Sequence, residues 1–150
     1  MKKHYLLLTI LAIFSLSFTA CNDDDEDEKP DDKKLLTGKS WKITAFTAAQ
    51  GPASYDIYSD MEPCDQDDLW KFSDNGSYEI NEGPSKCDPN SAQVYESGTY
   101  TLDNKTLITT ESGSSNTYKV VEITATTLKL TTEQAISGTN TTFNLTFAGQ

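Results

Sequence analysis

Thr117-Tyr118-Lys119-Val120-Val121-Glu122-Ile123-Thr124-Ala125-Thr126-Thr127-Leu128-Lys129-Leu130-Thr131-Thr132-Glu133-Gln134 decides the fold. Tyr118 and Val120, then Leu128 and Leu130, alternate with Lys and Thr, and a period of two in β-branched and aromatic sequence marks half-buried strands. The two runs, Thr117–Thr124 and Thr127–Gln134, meet at a corner around Ala125, too short for anything but an antiparallel turn. Val120 and Val121 break the alternation, so the spacing predicts a bulge or two-sided burial there.

Working outward, the same signature recurs in Lys39–Ala48, Asp68–Ser73, Ser77–Asn81, Gln93–Leu102, Thr106–Glu111 and Thr141–Phe147. Short links rich in Gly, Asn, Asp and Ser separate them: Asp74-Asn75-Gly76, Asp103-Asn104-Lys105, Ser112 to Asn116, and Ala135 to Asn140. No stretch keeps a helical period for ten residues. The reading is all-β: eight antiparallel strands from Leu35 to Gln150 in an up-and-down order, which hides its edges by closing into a small barrel. A two-sheet sandwich is the alternative, less favoured because successive hairpins replace long crossings. Alternation turns Trp41, Ile43, Trp70, Phe72, Tyr78, Ile80, Tyr100, Leu102, Tyr118, Val120, Leu128, Leu130, Phe143, Leu145 and Phe147 inward. So many aromatics favour an interior filled by its own side chains, since an eight-stranded barrel has room for little more. If a guest is admitted, it is a small apolar or aromatic ligand held by Trp41, Trp70, Phe72, Tyr78, Tyr100, Tyr118 and Phe143, stacking on Trp41 or Trp70.

The chain ahead of this domain reads as an address. Lys2, Lys3 and His4 precede an apolar run from Tyr5 to Phe18, the pattern of an export signal. A helix over that run reaches roughly 21 Å, short of the bilayer's ~30 Å of hydrocarbon. Phe18-Thr19-Ala20-Cys21 resembles a bacterial lipobox, implying a signal peptide over 1–20, cleavage before Cys21 and a diacylglycerol thioether on it. From Asn22 to Lys34 eight acids, three lysines and a proline form a segment unable to bury apolar area, read as a disordered acidic tether over 21–34. An acidic run behind a lipidated cysteine resembles the signal that sends lipoproteins to the outer face of Bacteroides-type cells.

The 150 residues hold 12 lysines, no arginine and 23 acids, a net charge of −11, which argues against nucleic acid as a partner. Loss of the first 20 residues removes Lys2, Lys3 and the single His4, leaving a charge of −13. Without His there is no Ser-His or Cys-His pair and no imidazole zinc site, and no phosphate-loop motif is present. The domain is therefore read as non-catalytic and without a cofactor. Three cysteines is odd for an exported chain, and lipidating Cys21 leaves Cys64 and Cys87 to form a disulfide between two links at one barrel end. The same links gather Asp60, Glu62, Asp65, Asp67 and Asp68, oxygen ligands numerous enough for Ca²⁺ but without the glycine and final glutamate of an EF-hand loop. A solvated acidic rim is the simpler reading, and a basic protein partner would suit it.

Leu35-Leu36-Thr37-Gly38-Lys39-Ser40-Trp41-Lys42-Ile43, Tyr58 to Asp68, Phe72-Ser73-Asp74-Asn75-Gly76-Ser77-Tyr78 and Lys86-Cys87-Asp88-Pro89 resemble the lipocalin-like lipoproteins of Bacteroides-type bacteria. The resemblance covers the whole domain and implies a lipocalin-like barrel, held by its lipid in the outer membrane and exposed at the cell surface. Lipocalins open with Gly-x-Trp and cover that Trp with an Arg. Here the spacing is Gly38-x-x-Trp41 and no Arg exists, so no lipocalin ligand is carried over. The expected role is a binding module, with a protein-binding inhibitor or a structural surface lipoprotein as the alternative.

Replacing Cys21 by Ser should move the protein from the membrane fraction to the soluble fraction. Unchanged detergent partitioning of that variant would contradict the anchor.

Overall fold

The computed structural model describes residues 31–150. The segments read as a signal peptide, as the lipidated Cys21 and as the tether up to residue 30 lie outside the described residues. A short helix α1 (Asp32–Thr37) leads into β1 (Ser40–Gln50), β2 (Ala53–Asp56), β3 (Leu69–Phe72), β4 (Ser77–Asn81), β5 (Val94–Asp103), β6 (Thr106–Glu111), β7 (Ser114–Ile123), β8 (Thr127–Ile136) and β9 (Thr139–Gly149). Each barrel strand pairs antiparallel with the next, and β9 returns to β1, with Trp41 opposite Gly149 and Ala49 opposite Thr142. β1 and β3–β9 thus form a closed eight-stranded barrel, which excludes the sandwich.

Three of the hairpins turn through two residues: Asn104-Lys105, Ser112-Gly113 and Ser137-Gly138, all with positive φ. Such links match the right-handed twist of the strands they join, which makes them the favoured two-residue hairpins. At two of these turns the strands outrun the sequence reading. β7 starts at Ser114 rather than Thr117, and the β8–β9 ladder runs to Ile136 and Thr139. Residues 114–117 and 133–140 are exposed, so no buried periodicity marks them, yet their backbone pairing continues to the turn.

Two elements were not legible as expected. β2 lies in the link read as irregular from Ala49 to Asp67, and it pairs with β1 from Thr47 to Gln50. β3 reaches only Ser40 to Lys42 of that same edge, so β2 covers backbone that β3 leaves unpaired. The other is α1, which orders Asp31 to Lys34, residues the composition assigned to the tether. Asp31 caps it by accepting from the Lys33 N–H, and Leu36 is fully buried. Under two turns of helix carry no periodicity to read.

α1 closes one end of the barrel. It packs on β3 and β7, its Leu36 carbonyl accepts from Trp41 Nε1 at 2.8 Å, and Asp32 meets Lys105 of the β5–β6 turn at 2.8 Å. Trp41 is itself fully buried, so its indole N–H satisfies one of the carbonyls that a helix end leaves over. Lys39 lies beside the same indole. Its ammonium lies 5.6 Å from the Trp41 ring centre and donates to the Ala125 carbonyl of the β7–β8 turn. Around this end lie Phe72, Tyr100, Leu107, Val120, Ile123, Leu128 and Phe147, all buried. The break at Val120 and Val121 is a bulge, where pairing to β8 slips between Val120 and Glu122 and Val121 is left 60% exposed.

Trp41→Phe keeps most of the ring but leaves the Leu36 carbonyl buried without a donor, a loss of about 1–3 kcal/mol. Urea denaturation should show that loss. An unchanged midpoint would mean that the plug does not depend on the indole.

Candidate binding site at the open mouth

The opposite end is formed by the β1–β2 turn, the links 57–68 and 82–93, and the hairpins at Ser112-Gly113 and Ser137-Gly138. Here the interior is not filled. A cavity of about 170 Å³ is lined by Phe46 from β1, Tyr118 from β7, Thr132 and Gln134 from β8, and Phe143 and Leu145 from β9. Phe46 and Phe143 sit with ring centres 6.0 Å apart. Further out along β1 and β9, Ala48, Gln50 and Thr141 line a second hollow of about 230 Å³ against Ala53, Ser54 and Tyr55. Gln50 Nε2 donates to Thr141 Oγ1 at 2.7 Å, tying the lip together.

The wall built by β4, β5 and β6 differs in chemistry. The alternation that buries Tyr100 on β5 also turns Gly98 and Glu96 inward, and on β6 Leu107, Thr109 and Glu111 share a face. Gly98 is required there, because a Cβ would stand 2.1 Å from the Thr110 carbonyl and 2.9 Å from the Tyr78 ring. Tyr78 packs in that gap and its hydroxyl donates to Glu96 Oε1 at 2.8 Å. Burial and then the bond to Glu96 push the Tyr78 pKa far up, while Thr109 opposes the shift. Burial and the Glu96 charge raise Tyr118 likewise.

Cys64 and Cys87 are bonded, with Cα atoms 5.2 Å apart, and clamp the two long links at the mouth. Glu82 is buried and accepts from the Cys87 N–H at 3.0 Å, and Asp67 accepts from the Ser85 N–H at 3.1 Å. Asp60 accepts from the Tyr55 hydroxyl, Glu62 is exposed, and Asp65 lies 3.3 Å from the Cys87 sulfur. Among the described residues, Cys64, Asp65 and Cys87 are the trio whose ligand atoms approach one another, and both sulfurs are consumed by the disulfide. The five carboxylates read as oxygen ligands therefore do not converge. Asp68 is buried, accepts from the Tyr95 hydroxyl at 2.6 Å, and keeps its other oxygen without a partner. Burial, reinforced by Asp65, Glu82 and Asp67, raises its pKa against the opposing Tyr95 bond.

Of the aromatics read as a pocket, Tyr118 and Phe143 line the cavity. Trp41, Phe72 and Tyr100 belong to the filled half, and Tyr78 backs the polar wall. Trp70 sits between the halves, with ring centres 6.2 Å from Tyr118 and 5.2 Å from Phe147. The alternation missed Phe46, because β1 carries a bulge between Ile43 and Ala45 that changes which residues face inward. Glu96 and Glu111 were missed because a charged residue at an inward position reads as an outward one.

The family model of the lipocalin-like domain matches residues 36–130. No curated protein matches the chain.

Replacing both Cys64 and Cys87 by Ala should cost roughly 3.5 kcal/mol, the chain-entropy value for a closed loop of this size. Equal urea midpoints for the two proteins would contradict it. Asp68 holds its proton more tightly folded than unfolded, so its contribution to stability falls as pH rises from its ordinary value through its raised one. Asp68→Asn should therefore melt above the wild type at neutral pH, and the gap should narrow as the pH approaches 3.8. A gap that widens on acidification would reverse the assignment.

Proposed function

The chain belongs to the lipocalin-like domain family, and from that premise we propose that it is a lipid-anchored, surface-exposed binding module whose working surface is the mouth bearing the disulfide. The family supports a barrel used for binding rather than catalysis. The observation that carries the reading is the asymmetry of the interior, packed around Trp41 at one end and hollow beside Phe46, Tyr118 and Phe143 at the other. The tether joins at α1, on the plugged end. A lipid on Cys21 would therefore attach the closed end to the membrane, and ten residues of extended chain allow it to stand off by roughly 35 Å. That attachment leaves the mouth clear of the tether. Tyr55, Val94, Tyr95 and Ile136, each at least 38% exposed, lie at that same end.

Those exposed groups, set among the acids of the two links, favour a second reading in which the rim docks a basic protein. Native mass spectrometry of the protein drawn from its own cells separates the two. A co-purifying small molecule supports the pocket, and a stoichiometric protein supports the rim.

The direct test is a fluorescence titration with fatty acids, bile acids and small aromatic compounds. Trp70 reports on Tyr118, whereas Trp41 is sealed in the plug. A saturable change should appear with at least one class, vanish in Trp70→Leu, and vanish in Thr132→Phe, which occupies the cavity. No response from any class would contradict the small-molecule reading.

A further inference from the structure

The geometry points to a cationic guest: a single aromatic ring carrying an ammonium group, with the ring on the Phe46–Phe143 side of the mouth and the ammonium towards Glu96. The inference rests on the binding reading above and names the ligand class for that same cavity. Size comes first. A cavity of about 170 Å³ is close to the ~150 Å³ apolar cavity that takes benzene, so its volume suits one ring.

Charge sets the second half. Phe46, Phe143 and Leu145 make one side apolar, and Tyr118 links it to the other. Across the barrel Glu96 receives one hydrogen bond, from Tyr78, whereas a carboxylate has roughly four acceptor positions. Thr109 is buried one inward position from Leu107, the cross-strand partner of Tyr118, so the inward face runs from the cavity wall at Tyr118 towards the strands that carry Tyr78 and Glu96. Glu111 stands one inward position beyond Thr109 on β6 and adds to the negative field at Tyr78.

No lysine offsets these acids from within. The salt bridges among the described residues are Lys71–Glu79, Lys129–Glu122 and Lys105–Asp32, the first two on outward positions of the sheet and the third at the plugged end. The links around the mouth hold eight acids between Asp56 and Asp88 that belong to this end, and their one lysine, Lys86, is bonded to the Ser91 carbonyl. A mouth of one sign concentrates counter-charged solutes and repels anions. Aromatic faces beside a carboxylate attract an ammonium through both ring quadrupole and charge. A fatty acid or a bile acid would bring its carboxylate against Glu96 and Glu111, which is a cost rather than a gain.

Three ligands of matched ring and opposite charge test this by calorimetry on the purified protein: phenethylamine, 2-phenylethanol and 3-phenylpropanoate. The amine should bind at least tenfold more tightly than the carboxylate, with the alcohol between them, and added salt should weaken the amine most. In Glu96→Gln the amine should lose its advantage over the alcohol, and Glu111→Gln should reduce it in part. If the three ligands bind alike, or if the preference persists in both variants, the cationic assignment falls while the binding reading stands. If none of the three binds, and no class changes Trp70 emission, both fall together.

Discussion

The pairing of β1 with β9 is the constraint on which the rest depends. A meander of eight strands has two edges, and each edge exposes a row of unpaired N–H and C=O groups. β1 meets that constraint on both sides, with β9 from Trp41 to Ala49 on one edge and β3 followed by β2 on the other. Its bulge between Ile43 and Ala45 has a second effect. It keeps Trp41 and Ile43 facing the core near the plug and then turns Phe46 and Ala48 to the inside near the mouth.

Closure fixes the distribution of volume. Trp41, Phe72, Phe147 and the leucines fill the half nearest α1, with Phe72 edge-on to Tyr100 at 5.0 Å. Towards the mouth the inward aromatics Phe46, Tyr118 and Phe143 are interspersed with smaller or polar groups: Gly98, Thr109, Thr132, Gln134 and Thr141. The same strands therefore supply a packed floor and a hollow top without any change of architecture. The disulfide clamps the long links over that top, where the barrel's own ladders are shortest, since β3 and β4 span only four and five residues.

Much of this was legible in the residues. Ser77–Asn81 and Thr106–Glu111 begin and end where period and turn chemistry place them, and the odd cysteine count led to the Cys64–Cys87 bond. The interior was legible where its residues were apolar. It was not legible where an inward residue was charged, as at Glu96 and Glu111, because alternation sorts residues by polarity and a polar pocket inverts the sorting. β2 was hidden for a related reason: Ala53 to Asp56 are exposed, and the Gly51-Pro52 pair ahead of them was the one sign of a hairpin. α1 was too short for periodicity, though Asp31 ahead of Leu35 and Leu36 is a fair capping signal.

The central claim is that the barrel is sealed at the Trp41 end and open at the Phe46–Phe143 end. Relaxation of aromatic ring protons by a small neutral paramagnetic chelate in solution measures that claim residue by residue. Phe46, Tyr118 and Phe143 should relax strongly in the ligand-free protein, while Trp41, Phe72 and Phe147 stay protected. Equal protection of both groups, or stronger relaxation at Trp41 than at Phe143, would contradict the account.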